Sequence, residues 1–323
     1  MNNSPAFSQC TVSAIHQAAE ALKAGHLVAF PTETVYGLGG DATNPDAIKR
    51  IYEVKGRPSD HPLIIHISSI NVLDKWAREI PGYAISLARK FWPGPLTLIM
   101  KRSPLVGDFV SGNQDTVGLR VPSDPIAHAL IAEFERLSGS AIAAPSANRF
   151  GQVSPTSSAD VQEEIGNQLS EFDLIINGGA SSIGIESTIV DCTGGSPKIL
   201  RSGFVTIEDI EECLKIEFTE NSRTSEIKFS GSFDKHYAPK CRIILGNSEV
   251  DGSGFFALSD IPTPPSMERL AAPNSVEEFA RVLYSTLRAA DQKGFTNLVV
   301  VQPEGQGLAL AINDRLLKAS NGR

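Results

Sequence analysis

Short apolar runs rich in Val, Ile and Leu recur along the first two hundred residues and are separated by polar segments. Runs of this length that are bounded by Gly, Pro, Asn or Asp are typical of buried strands. The pattern therefore predicts strands at 27–30, 63–67, 96–100, 116–121, 140–144, 174–177, 188–191 and 198–201.

Helical periodicity between these runs is modest. Apolar residues spaced three or four apart predict helices at 11–25, 44–54 and 83–91. Gly25 is a stop signal for the first, and Asn44 followed by Pro45 is a cap with a first-turn proline for the second. Because the helices alternate irregularly with the strands, the pattern indicates an α/β fold with a mixed sheet instead of a regular doubly wound one.

The pattern of apolar and polar residues changes after Gly203. Residues 204–240 are polar and irregular, and a smaller α/β pattern follows, with strands at 242–245, 254–258 and 298–301 and helices at 276–293 and 308–319. A length of 323 residues suits two domains. We predict a first, catalytic domain at 1–204, a linker at 205–240 and a small C-terminal α/β domain at 241–323.

Composition and charge narrow the class of protein. The apolar fraction is 41% and the net charge is -8, so the chain as a whole has no polyanion-binding signature, and any phosphate contact must come from a local basic concentration. Four cysteines are scattered without metal-ligand spacing, which predicts reduced thiols and no metal site. The N-terminus lacks a signal-peptide pattern and no window resembles a membrane span, so we expect a cytoplasmic protein with no membrane partner.

Two motifs could supply a ligand site. Residues 31–39, PTETVYGLG, combine hydroxyls, a carboxylate and glycines in a turn that could bind the polar end of a small substrate, although a plain turn is the alternative. In KGRPSDHPL, Lys55 and Arg57 form a stiff cationic loop that suits a triphosphate, against the alternative of a solvated basic turn. His66 follows inside an apolar run, where a core histidine is the ordinary interpretation.

Arg120 lies inside a strand-like run, GLRVP, and burying it requires an anionic partner. That partner could be an internal carboxylate or a bound one. The loop APSAN at 144–148, followed by Ser154, offers amides and hydroxyls compatible with phosphate or ribose. The segments at 184–191, 200–203 and 236–239, each taken alone, are more typical of strand edges or ordinary loops than of a ligand site. The chain has no Walker A sequence, no G-x-G-x-x-G and no G-x-S-x-G, which argues against the familiar nucleotide-binding and serine-hydrolase families.

Taken in order, these motifs resemble a known family. PTETVYGLG, KGRPSDHPL, WPGPLT, GLRVP, APSAN, STIVD and LRSG resemble the YrdC domain family throughout residues 12–203. HYAPK and the pattern LYSTLRAADQKGF…QPEGQGLALAINDRLLKAS resemble its long form, the threonylcarbamoyl-AMP synthases. The resemblance implies a YrdC-like twisted mixed sheet with a concave basic pocket, and a smaller Rossmann-like C-terminal domain.

The resemblance also implies a reaction and a site. Members of the family join L-threonine, bicarbonate and ATP into L-threonylcarbamoyladenylate with release of pyrophosphate, and Mg²⁺ is expected to accompany ATP. The implied L-threonine site is Thr34, His66, Arg120, Ala144 and Ser187. The implied ATP site is Lys55, Arg57, His61, Thr116, Ser146, Asn148, Ser154, Arg201 and Tyr237. The residues expected to act in catalysis are Lys55, Arg57, Ser146 and Asn148.

The expected partners are proteins that transfer the threonylcarbamoyl group to adenosine 37 of tRNA, with weak contact to tRNA itself. Tyr237 can serve only if the linker folds back over the pocket as a lid. Related linkers carry a proline-glycine-methionine stretch before HYAP, whereas residues 229–235 here read FSGSFDK. The alternative functions are an RNA-binding or ribosome-associated module and a carbamoyl-transferring relative with another substrate.

Overall fold

The computed structural model describes residues 6–9, 12–218, 227–229, 231 and 237–321. The strands are β1 Ala6–Gln9, β2 Val28–Phe30, β3 Gly37–Asp41, β4 Ile64–His66, β5 Ala77–Arg78, β6 Leu96–Arg102, β7 Thr116–Arg120, β8 Ile142–Ala143, β9 Leu174–Asn177, β10 Thr188–Asp191, β11 Lys198–Arg201, β12 Arg242–Leu245, β13 Gly254–Phe256, β14 Glu268–Ala271 and β15 Asn297–Val300.

The helices are α1 Val12–Lys23, α2 Pro45–Lys55, α3 Leu73–Trp76, α4 Gly82–Phe91, α5 Asp108–Ser111, α6 Pro125–Ser138, α7 Ser158–Ile165, α8 Ile207–Leu214, α9 Val276–Gln292 and α10 Leu308–Ser320. Short 3₁₀ turns occupy Ile70–Val72 and Gly166–Gln168. None of the described helices is both long and apolar enough to cross a membrane.

The first domain is built on a mixed sheet with the strand order β1-β9-β2-β3-β8-β4-β7-β6-β10-β11, and β5 pairs with β6. Strand β4 pairs parallel with β7 and antiparallel with β8. This register places His66 directly opposite Arg120, although the two residues are far apart in the sequence. The prediction of a mixed α/β sheet is confirmed, and the sheet itself brings two predicted site residues together.

Strand β3 departs from the prediction, which placed a glycine-rich turn there. The strand forms because glycine allows close packing that a side chain would prevent. A Cβ atom on Gly39 would lie 2.7 Å from Cγ2 of Ile142 and 2.8 Å from Cε1 of Phe30. Pairing between β3 and β8 then carries the 31–37 segment to the 144–148 loop, where Gly37 and Ser146 form an isolated bridge.

The second domain is a parallel sheet with the strand order β12-β15-β13-β14, which confirms the Rossmann-like prediction. Helices α9 and α10 bury their apolar faces in its core. That core also takes in Val35, Val153 and Ile185 of the first domain and Tyr237 of the linker. The two domains therefore share one hydrophobic cluster beside the 31–37 segment.

The predicted linker 205–240 begins with ordered structure. Helix α8 starts with a capping box between Thr206 and Asp209, and it packs against α4 of the first domain. An irregular segment was predicted at this point. Residues 219–226, 230 and 232–236, which include part of the predicted lid and most of its hinge at 229–235, lie outside the described residues.

Candidate functional site

A cavity opens where the 31–37 segment, the 144–148 loop and the linker meet. It is lined by Thr32, Thr34, Val35, Tyr36, Gly37, Arg57, Ile64, His66, Arg120, Ala144, Pro145, Ser146, Glu186, Ser187, Arg201, Gly231 and Tyr237. The five residues predicted to bind L-threonine all lie in this wall. Four of the residues predicted to bind ATP, namely Arg57, Ser146, Arg201 and Tyr237, join them.

Arg120, at the end of β7, has an internal anionic partner. Its Nη2 lies 2.7 Å from Oε1 of Glu33, and both side chains are only 5% exposed. Its Nη1 donates to Oγ1 of Thr34 at 3.0 Å, and its Nε donates to the carbonyl of Gly94 at 3.3 Å. The contact with Glu33 is an ion pair without hydrogen-bond geometry, so the hydrogen bonds to Thr34 and Gly94 use two of the five N–H donors of the guanidinium and leave Nη2 for a ligand. Arg120 is thus held in place by protein groups and can still bind a carboxylate.

His66 lines the same cavity and is neutral. Burial and the neighbouring charge of Arg120 lower the pKa of its imidazole from 6.5 to about 3. The ring packs edge-on against Phe30, with 6.1 Å between ring centroids. His66 can therefore offer one donor and one acceptor to a ligand at physiological pH, without adding charge.

This low pKa predicts a pH-dependent stability. Unfolding returns His66 to a pKa near 6.5, so the unfolded state binds a proton below that pH and the folded state does not until about pH 3. The free energy of unfolding should fall as the pH drops below 6.5, by about 1.4 kcal/mol per pH unit from this residue.

Glu186 contributes in a lower window, because its pKa is lowered from 4.5 to about 2 and its stabilisation is lost only below pH 4.5. Denaturant titrations between pH 6.5 and 5 therefore exclude Glu186, and because the pKa of His61 is also lowered, the share of His66 is taken from a variant. The variant His66→Gln should have a shallower slope in this range, and an unchanged slope would contradict the assignment.

Ser187 and Arg201 form a linked pair across β10 and β11. Arg201 donates from Nε to the carbonyl of Ser187 at 3.0 Å and from Nη2 to its hydroxyl at 3.1 Å. The same hydroxyl lies 2.8 Å from Oγ1 of Thr97 on β6. Burial lowers the pKa of Arg201. One predicted threonine-site residue and one predicted ATP-site residue are thereby fixed to each other.

Lys55 takes a position that its sequence motif did not indicate. Its ammonium group is buried at the end of α2 and donates to the carbonyls of Ser146, at 2.6 Å, and of Asn148. Burial, with the nearby charge of Arg57, holds the pKa of Lys55 well below its ordinary value. Lys55 lies behind the cavity and stabilises the 144–148 loop that forms one wall of it.

Arg57 itself reaches the cavity, as the cationic-loop motif suggested. Its Nη2 donates to the carbonyl of Pro62 at 3.2 Å. Burial lowers its pKa to about 10, so it remains charged at neutral pH. His61 is buried nearby, packs edge-on against Phe150 at 5.8 Å between centroids, and has its pKa lowered by burial.

Besides Lys55 and His61, three more residues predicted to bind ATP lie outside the cavity lining. Asn148 is buried and donates to the carbonyls of Arg149 and Gln152, both at 2.8 Å. Ser154 donates to Oε1 of Glu186 at 2.7 Å. Thr116 lines a separate cavity that Lys228 and Phe229 of the linker also line. The residues predicted to bind ATP therefore include some that line the cavity and others that lie outside its wall.

Tyr237 lies in the cavity wall and is almost completely buried. Its ring stacks on that of Tyr284 with 5.6 Å between centroids and an interplanar angle of 27°. Gly231, also in the linker, joins it in the wall. The linker therefore returns to the cavity in this structure.

Sequence reasoning missed Glu33 and Glu186. Glu33 stands between two threonines of a recognised motif, and Glu186 precedes the predicted Ser187. A carboxylate in each position was a usable signal, because a buried arginine nearby requires one. Among the described residues no group of three or more His, Cys, Asp or Glu is placed to hold a metal ion. The expected Mg²⁺ remains a prediction.

Comparison with known proteins identifies the family. The family model Sua5_yciO_yrdC, described as "Telomere recombination", matches residues 20–203, and Sua5_C, described as the C-terminal domain of threonylcarbamoyl-AMP synthase, matches residues 205–321. The threonylcarbamoyl-AMP synthase of Pyrococcus abyssi is 39% identical over 96% of this chain and 94% of its own length. That of Bacillus subtilis is 35% identical over 96% and 93%.

The solved structure of P. abyssi Sua5 complexed with L-threonine has a TM-score of 0.85 and 38% identity. It covers 98% of this chain and 97% of its own. Both the sequence and the two-domain architecture therefore match over nearly the whole length, and the chain belongs to the Sua5–YciO–YrdC family, among its threonylcarbamoyl-AMP synthases with a Sua5-type C-terminal domain.

Proposed function

We propose that this chain forms L-threonylcarbamoyladenylate and pyrophosphate from L-threonine, bicarbonate and ATP. The observation that carries the proposal is one cavity that contains both the amino-acid set (Arg120, His66, Ser187) and the cationic set (Arg57, Arg201). The relative from P. abyssi whose structure is complexed with L-threonine matches this chain along nearly its whole length.

The charge of the cavity fits an anionic substrate. Three arginines line it, namely Arg57, Arg120 and Arg201. The carboxylate of Glu33 is paired with Arg120, and that of Glu186 is paired with Arg315 from the C-terminal domain at 3.1 Å. A triphosphate in this cavity would receive charge-assisted hydrogen bonds from Arg57 and Arg201, which both line its wall.

The chemistry that this arrangement supports needs no protein nucleophile. The threonine amine adds to bicarbonate, giving a carbamate and water. A carbamate oxygen then attacks the α-phosphorus of ATP, and the bond to pyrophosphate breaks. Positioning by Arg120 and Ser187 and neutralisation of charge by Arg57 and Arg201 supply the acceleration. We expect Mg²⁺ to enter on the triphosphate, because Glu186 in the cavity wall and Glu33 beside Arg120 are each paired with an arginine.

The product is a mixed anhydride, which water would hydrolyse. We propose that it passes to partner proteins that transfer the threonylcarbamoyl group to adenosine 37 of tRNA, and that this takes place in the cytoplasm. Tyr237 and Gly231 in the cavity wall support a role for the linker in excluding water.

The proposal is tested by pyrophosphate release from ATP. The purified full chain should release pyrophosphate only when L-threonine and bicarbonate are both present, and omission of either should reduce release to background. Serine in place of L-threonine serves as the matched control, since it lacks only the methyl group. Release that does not depend on L-threonine would reject the proposed reaction.

A further inference from the structure

The carboxylate of Glu186 is a junction between the two domains. It accepts hydrogen bonds from Oγ of Ser154 at 2.7 Å, from the hydroxyl of Tyr284 at 2.8 Å and from Nε of Arg315 at 3.1 Å. Ser154 belongs to the first domain, whereas Tyr284 lies on α9 and Arg315 on α10. Glu186 is itself part of the cavity wall, so this buried carboxylate is one point at which the C-terminal domain contacts the cavity wall.

Arg315 reaches both sides of the Ser187–Arg201 pair. Its Nε donates to Glu186, the residue before Ser187, and its Nη2 donates to the carbonyl of Ser202, the residue after Arg201, at 2.9 Å. One guanidinium therefore connects the segment that carries Ser187 to the segment that carries Arg201, and both of these residues line the cavity. A forked, planar donor is required for this double contact, which an ammonium group could not make.

Arg315 and Tyr284 also fix the linker residue of the wall. The guanidinium carbon of Arg315 lies 5.7 Å from the ring centroid of Tyr237, and Tyr284 stacks on the same ring. All three side chains are almost completely buried. Tyr284 and Arg315 of the C-terminal domain thus each contact both Glu186 and Tyr237, two residues of the cavity wall.

The ion pair is stable over the physiological range of pH. Arg315, with help from Arg201, lowers the pKa of Glu186 to about 2 despite its burial. The neighbouring Tyr237 and Glu186 raise the pKa of Arg315. The junction is a permanent structural feature at physiological pH.

We propose that Tyr284 and Arg315 are positioning residues through which the C-terminal domain places Ser154, Arg201 and Tyr237 for binding of the nucleotide. The inference rests on the proposed function, since those three residues are among the nine assigned to ATP. It gives the C-terminal domain a specific task, which is to complete the nucleotide part of a cavity that the first domain supplies only in part.

The test uses single substitutions in the full chain and measures binding. Tyr284→Phe removes one hydroxyl and keeps the stacked ring, while Arg315→Lys keeps the charge and loses the fork. Each should weaken binding of a non-hydrolysable ATP analogue by about tenfold in calorimetry, and should change the affinity for L-threonine by less than about twofold. Because both act through Glu186, the double variant should lose less than the product of the two single effects.

Arg288→Lys is the matched control. Arg288, on α9, is a second buried arginine of the C-terminal domain that reaches the first domain, where it donates to Oε1 of Glu164 at 3.0 Å and to the carbonyl of Val153. Neither of those residues lines the cavity. This variant should lower the melting temperature and leave both affinities unchanged.

Two outcomes would overturn the inference. One is unchanged affinity for the analogue in folded Tyr284→Phe and Arg315→Lys. The other is a parallel loss for the analogue and L-threonine that Arg288→Lys reproduces, which would indicate general loosening of the interface. Failure of the proposed function is distinguished in the unsubstituted chain, which would then bind neither ligand.

Discussion

Replacing Arg120 by alanine is expected to weaken binding of L-threonine by about a hundredfold or more and to affect ATP much less. Arg120 is the one arginine among the five residues predicted to bind L-threonine. Its contacts with Thr34, Gly94 and Glu33 hold the guanidinium in place and leave N–H donors for a carboxylate. Truncating one partner of a buried charge pair costs about 2–5 kcal/mol. The KM for each substrate in the pyrophosphate assay, with calorimetry for affinity, measures the effect.

Stability must be separated from binding in this variant. Loss of Arg120 leaves Glu33 buried without its cation, which destabilises the fold by about 3–5 kcal/mol. The double variant Glu33→Gln/Arg120→Gln removes both charges, so it should fold better and still fail to bind L-threonine. If the double variant binds L-threonine with the affinity of the unsubstituted chain, Arg120 has no role in binding.

Arg50→Ala is the control for Arg120→Ala. Arg50 makes a bidentate pair with the fully buried Asp173, at 3.0 and 2.6 Å, in the same domain. Neither residue lines the cavity. This variant should lose stability to a similar degree and keep its affinity for L-threonine.

Several of the strands that sequence alone predicted have β-branched apolar runs, as β4 and β10 do. Strand β3 was missed because its sequence, GLGGD, has low strand propensity, and the packing of Phe30 and Ile142 against Gly39 makes it a strand. Helix α6 was missed although Asp124 caps it and Pro125 begins it. The capping residues of α6 were visible in the sequence, whereas β3 depends on packing between residues that are distant in the sequence.

The site could be predicted from its motifs only in part. The motifs identified which side chains matter, and the structure places nine of them in one cavity wall. What each residue contacts depends on pairs distant in sequence. Arg120 and Thr34 are 86 residues apart, and Arg315 and Glu186 are 129 apart. The sequence left open whether an internal carboxylate faces Arg120, and the structure shows that Glu33 does.

The buried cations in and beside the cavity differ in the groups that they contact. Arg120 and Arg315 each have a carboxylate partner, whereas Lys55 is buried against neutral carbonyls. A cation paired with a carboxylate keeps its charge, while burial against carbonyls lowers the pKa of a lysine. The structure therefore assigns Lys55 a different task from Arg57, although both stand in the same KGRP motif.

Lys55→Met is expected to weaken ATP and AMP binding by similar factors, each about tenfold or more. The ammonium group donates to the carbonyls of Ser146 and Asn148, so its loss leaves two buried acceptors unsatisfied and releases the 144–148 loop. The free energy of unfolding should fall by about 2 kcal/mol. A lysine that acts through this loop affects every nucleotide that the loop contacts, whatever the number of its phosphates. Calorimetry with the two nucleotides and denaturant titration measure both effects.

The competing hypothesis, direct contact of Lys55 with the β- and γ-phosphates, predicts a much larger loss for ATP than for AMP. That difference would contradict the loop-stabilising role. Lys75→Met provides the control, because Lys75 also donates to a backbone carbonyl, that of Gly139, away from the cavity lining. It should leave both nucleotide affinities unchanged. Equal losses for ATP and AMP in Lys55→Met alone would therefore show that the lysine of this motif acts by holding Ser146 in the cavity wall.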